Sequence, residues 1–432
     1  MTSLTAGAMR LSLPRRLRVP TSTLSSSSSP PSRRAPFICL TCRSYSSSPT
    51  TASSLPAAAG YTPLTTRRLI SISGRDAAKY LQGVITTSIT LPDGSPRTQG
   101  FYSAFLSSQG RVLHDVFVYP DVLGGSDVNP ADSFLVEVDA DEAEKLVRHI
   151  KRYKLRAKFA VRLLDGEEGG VWAAWDDRSG SGLETEAEGK GGKGRIVLRD
   201  PRSPTLGWRF VTTASSGAGA AAPPALGMEL DKVDEKGYQI RRYLHGIPEG
   251  QSEILYESAL PLESNMDVMG GIDYHKGCYV GQELTIRTKH RGVVRKRILP
   301  CIVYGDGDGE VVKPEDRELA YQPGSTSAEN GFASAEEIPT GTSIGRVGKK
   351  GRSAGKWLRG VGNVGLALCR LEIMTDVVLP GEASASAFNP ADEFLLAEKL
   401  EEGQEGVGRQ ARIKAFVPLW LRQGLDGATP HP

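Results

Sequence analysis

Apolar positions along the chain fall mostly into short β-like runs, and two stretches carry the pattern of helices. Residues 69–73 (Leu-Ile-Ser-Ile-Ser) alternate and predict a strand. Ser73-Gly74-Arg75-Asp76 fits a capping box, with Ser73 as N-cap and Asp76 in place of the usual Glu. It would open a helix that runs through Tyr80-Leu81 and stops at Gly83. Residues 101–106 and 112–119 predict two strands joined by Ser108-Gln109-Gly110, a hairpin signal. Another strand is predicted at 134–138. Residues 141–153 give the strongest helical pattern. Ala143, Leu146, Val147 and Ile150 share one face, acids fill the start, and Arg148, Lys151 and Arg152 fill the end, as the helix dipole favours. Residues 159–164 and 172–175 read as strands.

Stretches 166–195 and 214–224 are rich in Gly, Glu, Lys, Ala and Pro and read as flexible insertions. Stretch 305–341 is similarly polar. Beyond it, β-branched runs at 344–347, 361–371 and 413–421 predict a small C-terminal β domain. Strands and helices mix without regular βαβ alternation, so the fold class is α+β.

Charge changes this picture at the N-terminus. The chain has 432 residues and a formal net charge of +3. No acid precedes Asp76, and residues 1–45 hold seven arginines and no lysine. Without that segment 46 basic residues face 50 acidic ones. An arginine- and serine-rich, acid-free leader has the composition of a mitochondrial presequence. Arg43-Ser44-Tyr45-Ser46 resembles a processing site cut after Tyr45. The slightly acidic remainder argues against nucleic acid as a partner. No run approaches the roughly 18–20 apolar residues of a membrane span, so no membrane insertion is expected.

Few motifs point to chemistry. Gly360-Val361-Gly362-Asn363-Val364-Gly365 satisfies GxGxxG, but β-like residues follow it where a dinucleotide site needs a helix. Asp306-Gly307-Asp308-Gly309-Glu310 lacks the glycine and the final glutamate of a calcium loop. Cys39 and Cys42 form a CxxC inside the leader. The other cysteines, Cys278, Cys301 and Cys369, have no paired ligand spacing, so no stably bound metal is expected.

The informative segment runs from His275 to Gly292. Glycines on either side of Cys278 allow a tight turn with a reachable sulfur. Lys276, and a protonated His275, would favour the thiolate. Arg287, Lys289 and Arg291 alternate, which would align three cations on one face of a strand. Arg295, Lys296 and Arg297 extend the cluster, which could bind an anionic ligand or an acidic partner. A buried structural cysteine beside a solvated basic strand is the other reading these residues allow.

The run Lys276-Gly277-Cys278-Tyr279-Val280-Gly281-Gln282-Glu283, followed by Arg287-Thr288 and Arg291-Gly292, resembles the KGCYxGQE signature of the YgfZ/GcvT-like family. Weaker similarities include Tyr153-Lys154-Leu155-Arg156, Asp200-Pro201-Arg202 and Gly246-Ile247-Pro248-Glu249-Gly250. The family comprises YgfZ-type proteins and mitochondrial iron–sulfur cluster assembly factors, cousins of the glycine-cleavage T-protein. The resemblance implies three subdomains around a central hole, with residues 61–292 as the folate-fold region and 293–425 as a small β-barrel. It implies a mitochondrial matrix protein acting late in [4Fe–4S] cluster formation or transfer with A-type scaffold proteins. Classical turnover is not expected, and a tetrahydrofolate-dependent aminomethyl-type transferase is the alternative. Cys278 is carried over as the critical residue and a candidate cluster contact, the metal ligands being left open, with Lys276 beside it. Tyr279, Gly281, Gln282, Glu283, Arg287 and Asp115 are implied for binding tetrahydrofolate or shaping the site. The T-proteins carry adjacent carboxylates where this chain has His114 and Asp115, and the family often has Asn-Asp where it has Thr87 and Ser88. One carboxylate is thus missing from the pair that general acid–base work would use.

Overall fold

The computed structural model describes residues 57–123, 130–178, 195–213, 230–305, 319–323, 331–332, 334–349, 351–380, 388–397 and 408–426. The leader with Cys39 and Cys42, the stretch 214–224 and Asp306–Glu310 as a calcium loop lie outside them, as does 179–194 of the insertion expected at 166–195.

Strands β1 (Ala59–Pro63), β2 (Arg67–Ser73), β3 (Phe101–Leu106), β4 (Val112–Pro120), β5 (Ser133–Asp139) and β6 (Ala160–Leu163) occupy the first part of the chain. Helices α1 (Ala77–Val84) and α2 (Ala143–Tyr153) lie among them. β3, β4, β5, β2 and β6 form one antiparallel sheet in that order. The α2 face foreseen from its spacing, Ala143, Leu146, Val147 and Ile150, is the buried one. It shares a core with Ile70, Ile72, Val116, Val118 and Val136 from alternate positions of the strands.

The capping box does not form. Ser73 stays in β2, and the N-cap of α1 is Asp76, with no side-chain cap bond. Its carboxylate accepts from Lys158 N at 2.6 Å instead, so a long-range tie replaces the local one. The expected insertion also contains structure. β7 (Gly169–Asp176) joins β1, β8 (Arg195–Arg199) and β9 (Trp208–Thr213) in a second sheet, ordered β1-β7-β9-β8. Trp172 and Trp175 are buried there, and that apolar burial outweighs the glycines at its start.

Helix α3 (Glu235–His245) follows, and Asp234 caps it by accepting from Gly237 N. A closed barrel comes after it, built from β10 (Lys296–Tyr304), β11 (Ser343–Arg346), β12 (Gly355–Val361), β13 (Val364–Arg370), β14 (Phe394–Ala397) and β15 (Gln410–Ala415). The GxGxxG motif is the β12–β13 hairpin, as its flanking residues foretold. The run expected as β at 413–421 is divided: β15 ends at Ala415, and Pro418 precedes a helix over Leu419–Asp426. Proline lacks the N–H that a strand needs and suits a helix start. Ile240 and Tyr243 of α3 pack with Ile298, Val361 and Leu366, which ties that helix to the barrel wall. No helix among the described residues is long and apolar enough to cross a membrane.

Candidate functional site

Cys278 sits with its sulfur exposed on a loop that caps the end of α1. A helix C-terminus leaves carbonyls without intrahelical donors, and the loop supplies them here. Val280 N donates to Gly83 O at 3.1 Å, and Asp273 N donates to Thr86 O at 3.0 Å. Lys276 Nζ donates to Ile85 O at 2.6 Å and to Thr87 O at 3.1 Å. Lys276 is therefore a strut that fastens the loop. Burial lowers its pKa to about 8. Tyr279 is buried in the main core and anchors the loop from the other side. Tyr279 N donates to Gln282 Oε1 at 3.2 Å, which closes the turn.

Gly281 has φ +78°, and a Cβ there would lie 2.2 Å from Ser107 O. That close approach seats the loop against the β3–β4 turn at Gly110, also at φ +78°. Gly281 is the N-cap of α4 (Gln282–Arg291), the segment that alternation assigned to a strand. Glu283 in its first turn and Lys289, His290 and Arg291 in its last follow the helix dipole. At 100° per residue, Arg287 and Arg291 share an exposed face while Lys289 turns away and lies over the Tyr274 ring at 5.3 Å. Arg295 pairs with Glu372 and Lys296 with Glu263, while Arg297 is buried against Asp267. The cluster is thus a two-arginine ridge on the helix that follows Cys278, with Lys289, Arg295, Lys296 and Arg297 engaged by neighbouring side chains.

Asp115 lies elsewhere. It is buried in β4, near a cavity of about 770 Å³ whose walls include Arg67, Tyr238, Arg242, Glu249, Gln251 and Glu253. Asp115 Oδ1 accepts from Gly250 N at 3.1 Å and Gln251 Nε2 at 3.3 Å. Its Oδ2 faces Arg67 Nη1 at 3.5 Å, and neither atom has a hydrogen bond. Burial raises the Asp115 pKa more than Arg67 lowers it. His114 precedes it on the strand and points to the opposite face. There it lies tilted against Tyr256, 5.5 Å between ring centroids, and burial lowers its pKa to about 3. Thr87 Oγ1 donates to Tyr102 O, and Ser88 pairs with Gln82, so both are structural here. Among the described residues lining the cavity are none from the Cys278 loop or α4.

Behind the cavity wall lies a buried ion network that no local pattern announced. Glu249 Oε2 contacts Arg209 Nη2 at 2.6 Å and Arg202 Nη1 at 2.8 Å. Burial would push its carboxyl up, but Arg209, Arg202 and Arg242 hold it well below the usual range. Glu137 joins Arg67 at 2.8 Å and Arg209 at 3.1 Å. Arg242 Nη1 donates to Glu253 Oε2 at 2.8 Å. The signal available in sequence was a charge inside an apolar strand, Glu137 in Phe-Leu-Val-Glu-Val and Arg209 in Trp-Arg-Phe-Val.

The barrel brings together the two remaining cysteines. Cys301 and Cys369 lie on neighbouring strands with sulfurs 3.9 Å apart, both fully buried. Burial raises the Cys301 thiol well above its usual value. No group of three or more His, Cys, Asp or Glu placed to hold a metal occurs among the described residues.

Residues 295–423 match the family model described as CAF17, C-terminal beta-barrel domain. Curated relatives named "Iron-sulfur cluster assembly factor IBA57 homolog, mitochondrial" match much more of the chain. The Pyricularia oryzae protein is 54% identical, covering 86% of this chain and 87% of its own. The Neurospora crassa protein is 51% identical over 90% and 88% of the two chains. The Aspergillus fumigatus protein is 44% identical over 86% and 84%. The solved glycine cleavage system aminomethyltransferase T from Bartonella henselae superposes with a TM-score of 0.55 at 13% identity, over 84% of this chain and 87% of that one. That likeness shows the fold.

Proposed function

Because the chain belongs to the IBA57 family of mitochondrial iron–sulfur cluster assembly factors, we propose that it acts late in [4Fe–4S] cluster formation or transfer. Its compartment is the mitochondrial matrix, reached by an N-terminal presequence cut after Tyr45. Its partner is an A-type scaffold protein, and Cys278 is its point of contact with the cluster. One observation carries this reading: the Cys278 sulfur is exposed, on a loop fastened at Lys276 and Val280 on either side of it.

The cluster is cargo in this reading. The Cys278 thiol would lose its proton to water and occupy one position on a cluster iron, while the partner's ligands hold the others. The fastened loop lowers the ordering cost of that bond, because the sulfur is already presented. Arg287 and Arg291, exposed on the helix that follows it, suit a partner with an acidic edge. Anaerobic mixing with a cluster-loaded A-type scaffold tests the reading through the absorption and circular dichroism of the cluster. Wild type should change the cluster spectrum and Cys278→Ser should leave it unchanged. Equal spectral changes for both proteins would remove Cys278 from the mechanism.

The cavity supports a folate guest. Arg67 and Gln251 line it and carry buried polar atoms without hydrogen bonds, with Asp115 behind Arg67, which suits the polar edge of a reduced pterin, and Tyr238 adds an aromatic wall. Tetrahydrofolate would supply a one-carbon carrier when bound. Asp115, with its raised pKa, would hold or accept a proton at Oδ2 beside Arg67. Equilibrium binding of tetrahydrofolate to wild type and Asp115→Asn tests this. Binding lost in the variant supports it, and no binding by folded wild type removes it. The aminomethyl-type transferase reading draws on the same cavity and the aminomethyltransferase-like fold. It requires turnover with an amine or lipoyl donor, and folded protein that binds tetrahydrofolate without turnover excludes it.

A further inference from the structure

The motif Tyr153-Lys154-Leu155-Arg156 at the end of α2 belongs to neither site. It exposes Leu155 at 83% and Tyr153 at 52%, the tyrosine ring resting against His149 and Arg152. Leu155 has φ +48°, a left-handed conformation that leucine rarely adopts. The turn is fixed on both sides. Lys154 N donates to Ile150 O, Ala157 N to Lys154 O, and Lys154 Nζ to Phe159 O at 2.6 Å. Leu155 is thereby held outward on a built tip, which is where strained backbone often marks function.

Cations surround this tip. Lys151, Arg152, Arg156 and Lys158 are exposed along it. Arg75 and Lys79 join them from the start of α1, which is bound to the same turn through Lys158 N and Asp76. Tyr80 packs on Phe159 at 5.0 Å between ring centroids and closes that junction. None of the six cations has an ion pair among the described residues. Two carboxylates share this end of the sheet, Asp76 and Asp132, and Asp76 already accepts from Lys158 N.

We propose that this tip docks on an anionic phospholipid surface, with Leu155 and Tyr153 entering the headgroup layer and the six cations facing its phosphates. An exposed leucine next to an amphipathic tyrosine suits the interface between headgroups and acyl chains. Unpaired lysines and arginines adapt to a fluid negative layer. A shaped acidic protein would need a pocket for one leucine, and single-stranded RNA would need stacked aromatic platforms, of which this tip offers only Tyr153.

The test is sedimentation of the protein, purified from mitochondria, with vesicles of phosphatidylcholine and cardiolipin in equal mass or of phosphatidylcholine alone. Binding to the anionic vesicles alone, weakened by salt, is expected. Leu155→Gly fits the backbone angle, so it should keep the urea midpoint while binding about tenfold more weakly. Combined Lys151→Gln, Arg152→Gln and Arg156→Gln should weaken binding about a hundredfold. Combined Arg352→Gln and Lys356→Gln, on the barrel, should leave it unchanged. Equal binding to both vesicle types, full binding by the triple variant, or no vesicle binding alongside capture of RNA or an acidic protein would overturn the proposal.

Discussion

The Cys278 loop and the wall behind Asp115 use charge in opposite ways. Around Cys278 the chemistry comes from one contiguous segment, its cations are exposed or used as struts, and its sulfur faces solvent. Around Asp115 the charges come from both sheets, α3 and the loop after it, and they are buried and neutralise one another. The first arrangement presents a group outward and suits a partner. The second holds separate elements in register and leaves a few polar atoms for a small guest. A signature motif can mark the first kind of site, whereas only a fold assembles the second.

The comparison breaks first if the network is not structural. Glu249→Gln removes the carboxylate that three buried arginines share. Such a loss should cost about 3–5 kcal/mol, since buried charges are left without a partner. Urea unfolding with tryptophan fluorescence reads it. A midpoint within error of wild type would mean that the network is dispensable.

Acid sharpens the same contrast. His114 is buried and its pKa falls to about 3, below the ordinary 6.5 of an unfolded chain. Between those values the unfolded state binds more protons, so stability is greatest above pH 6.5 and declines as pH falls through the window. At pH 5 the cost is about 2 kcal/mol. The fall in urea midpoint from pH 7.5 to pH 5 should be smaller in His114→Gln. An unchanged slope would place the acid sensitivity elsewhere.

Lys276 tests whether the outward site depends on its strut. Lys276→Met removes two hydrogen bonds to carbonyls at the end of α1. The loss should be about 1–2 kcal/mol and local. Hydrogen exchange should quicken at the Val280 amide, bonded to Gly83 O, and stay unchanged at Val136 in the middle of β5. Quickening at both would make the loop part of the global fold.

How much of this was legible depends on the range of each interaction. The β3–β4 hairpin, the buried face of α2 and the β12–β13 hairpin follow from turn residues and periodicity within a few positions. The helix at α4 was not legible as a helix, because it buries a single residue, Thr285, and its alternating cations imitate a strand. The capping box failed because Asp76 found a partner 82 residues away. Glu249 meets Arg209 across 40 residues, and Arg67 meets Glu137 across 70. Such pairs leave only the oddity of a charge within an apolar strand. Cys278 was legible as a motif, while the orientation of its sulfur needed the cap on α1.

The smallest expected effect separates the three cysteines most cleanly. Cys278 is exposed, so Cys278→Ser should change stability by less than about 0.5 kcal/mol. Cys301 is sealed in the barrel, its sulfur 3.9 Å from that of Cys369 and 3.6 Å from Leu299 O, with apolar side chains around them. Serine there buries a hydroxyl that prefers water, at a cost of about 1–3 kcal/mol. Thiol labelling of the native protein should modify Cys278 at once and the barrel pair only after denaturation. If function follows the outward site, Cys278→Ser loses cluster handling at wild-type stability, and Cys301→Ser keeps cluster handling in whatever fraction stays folded. The reverse pattern would move the chemistry into the barrel and leave the exposed sulfur without a role.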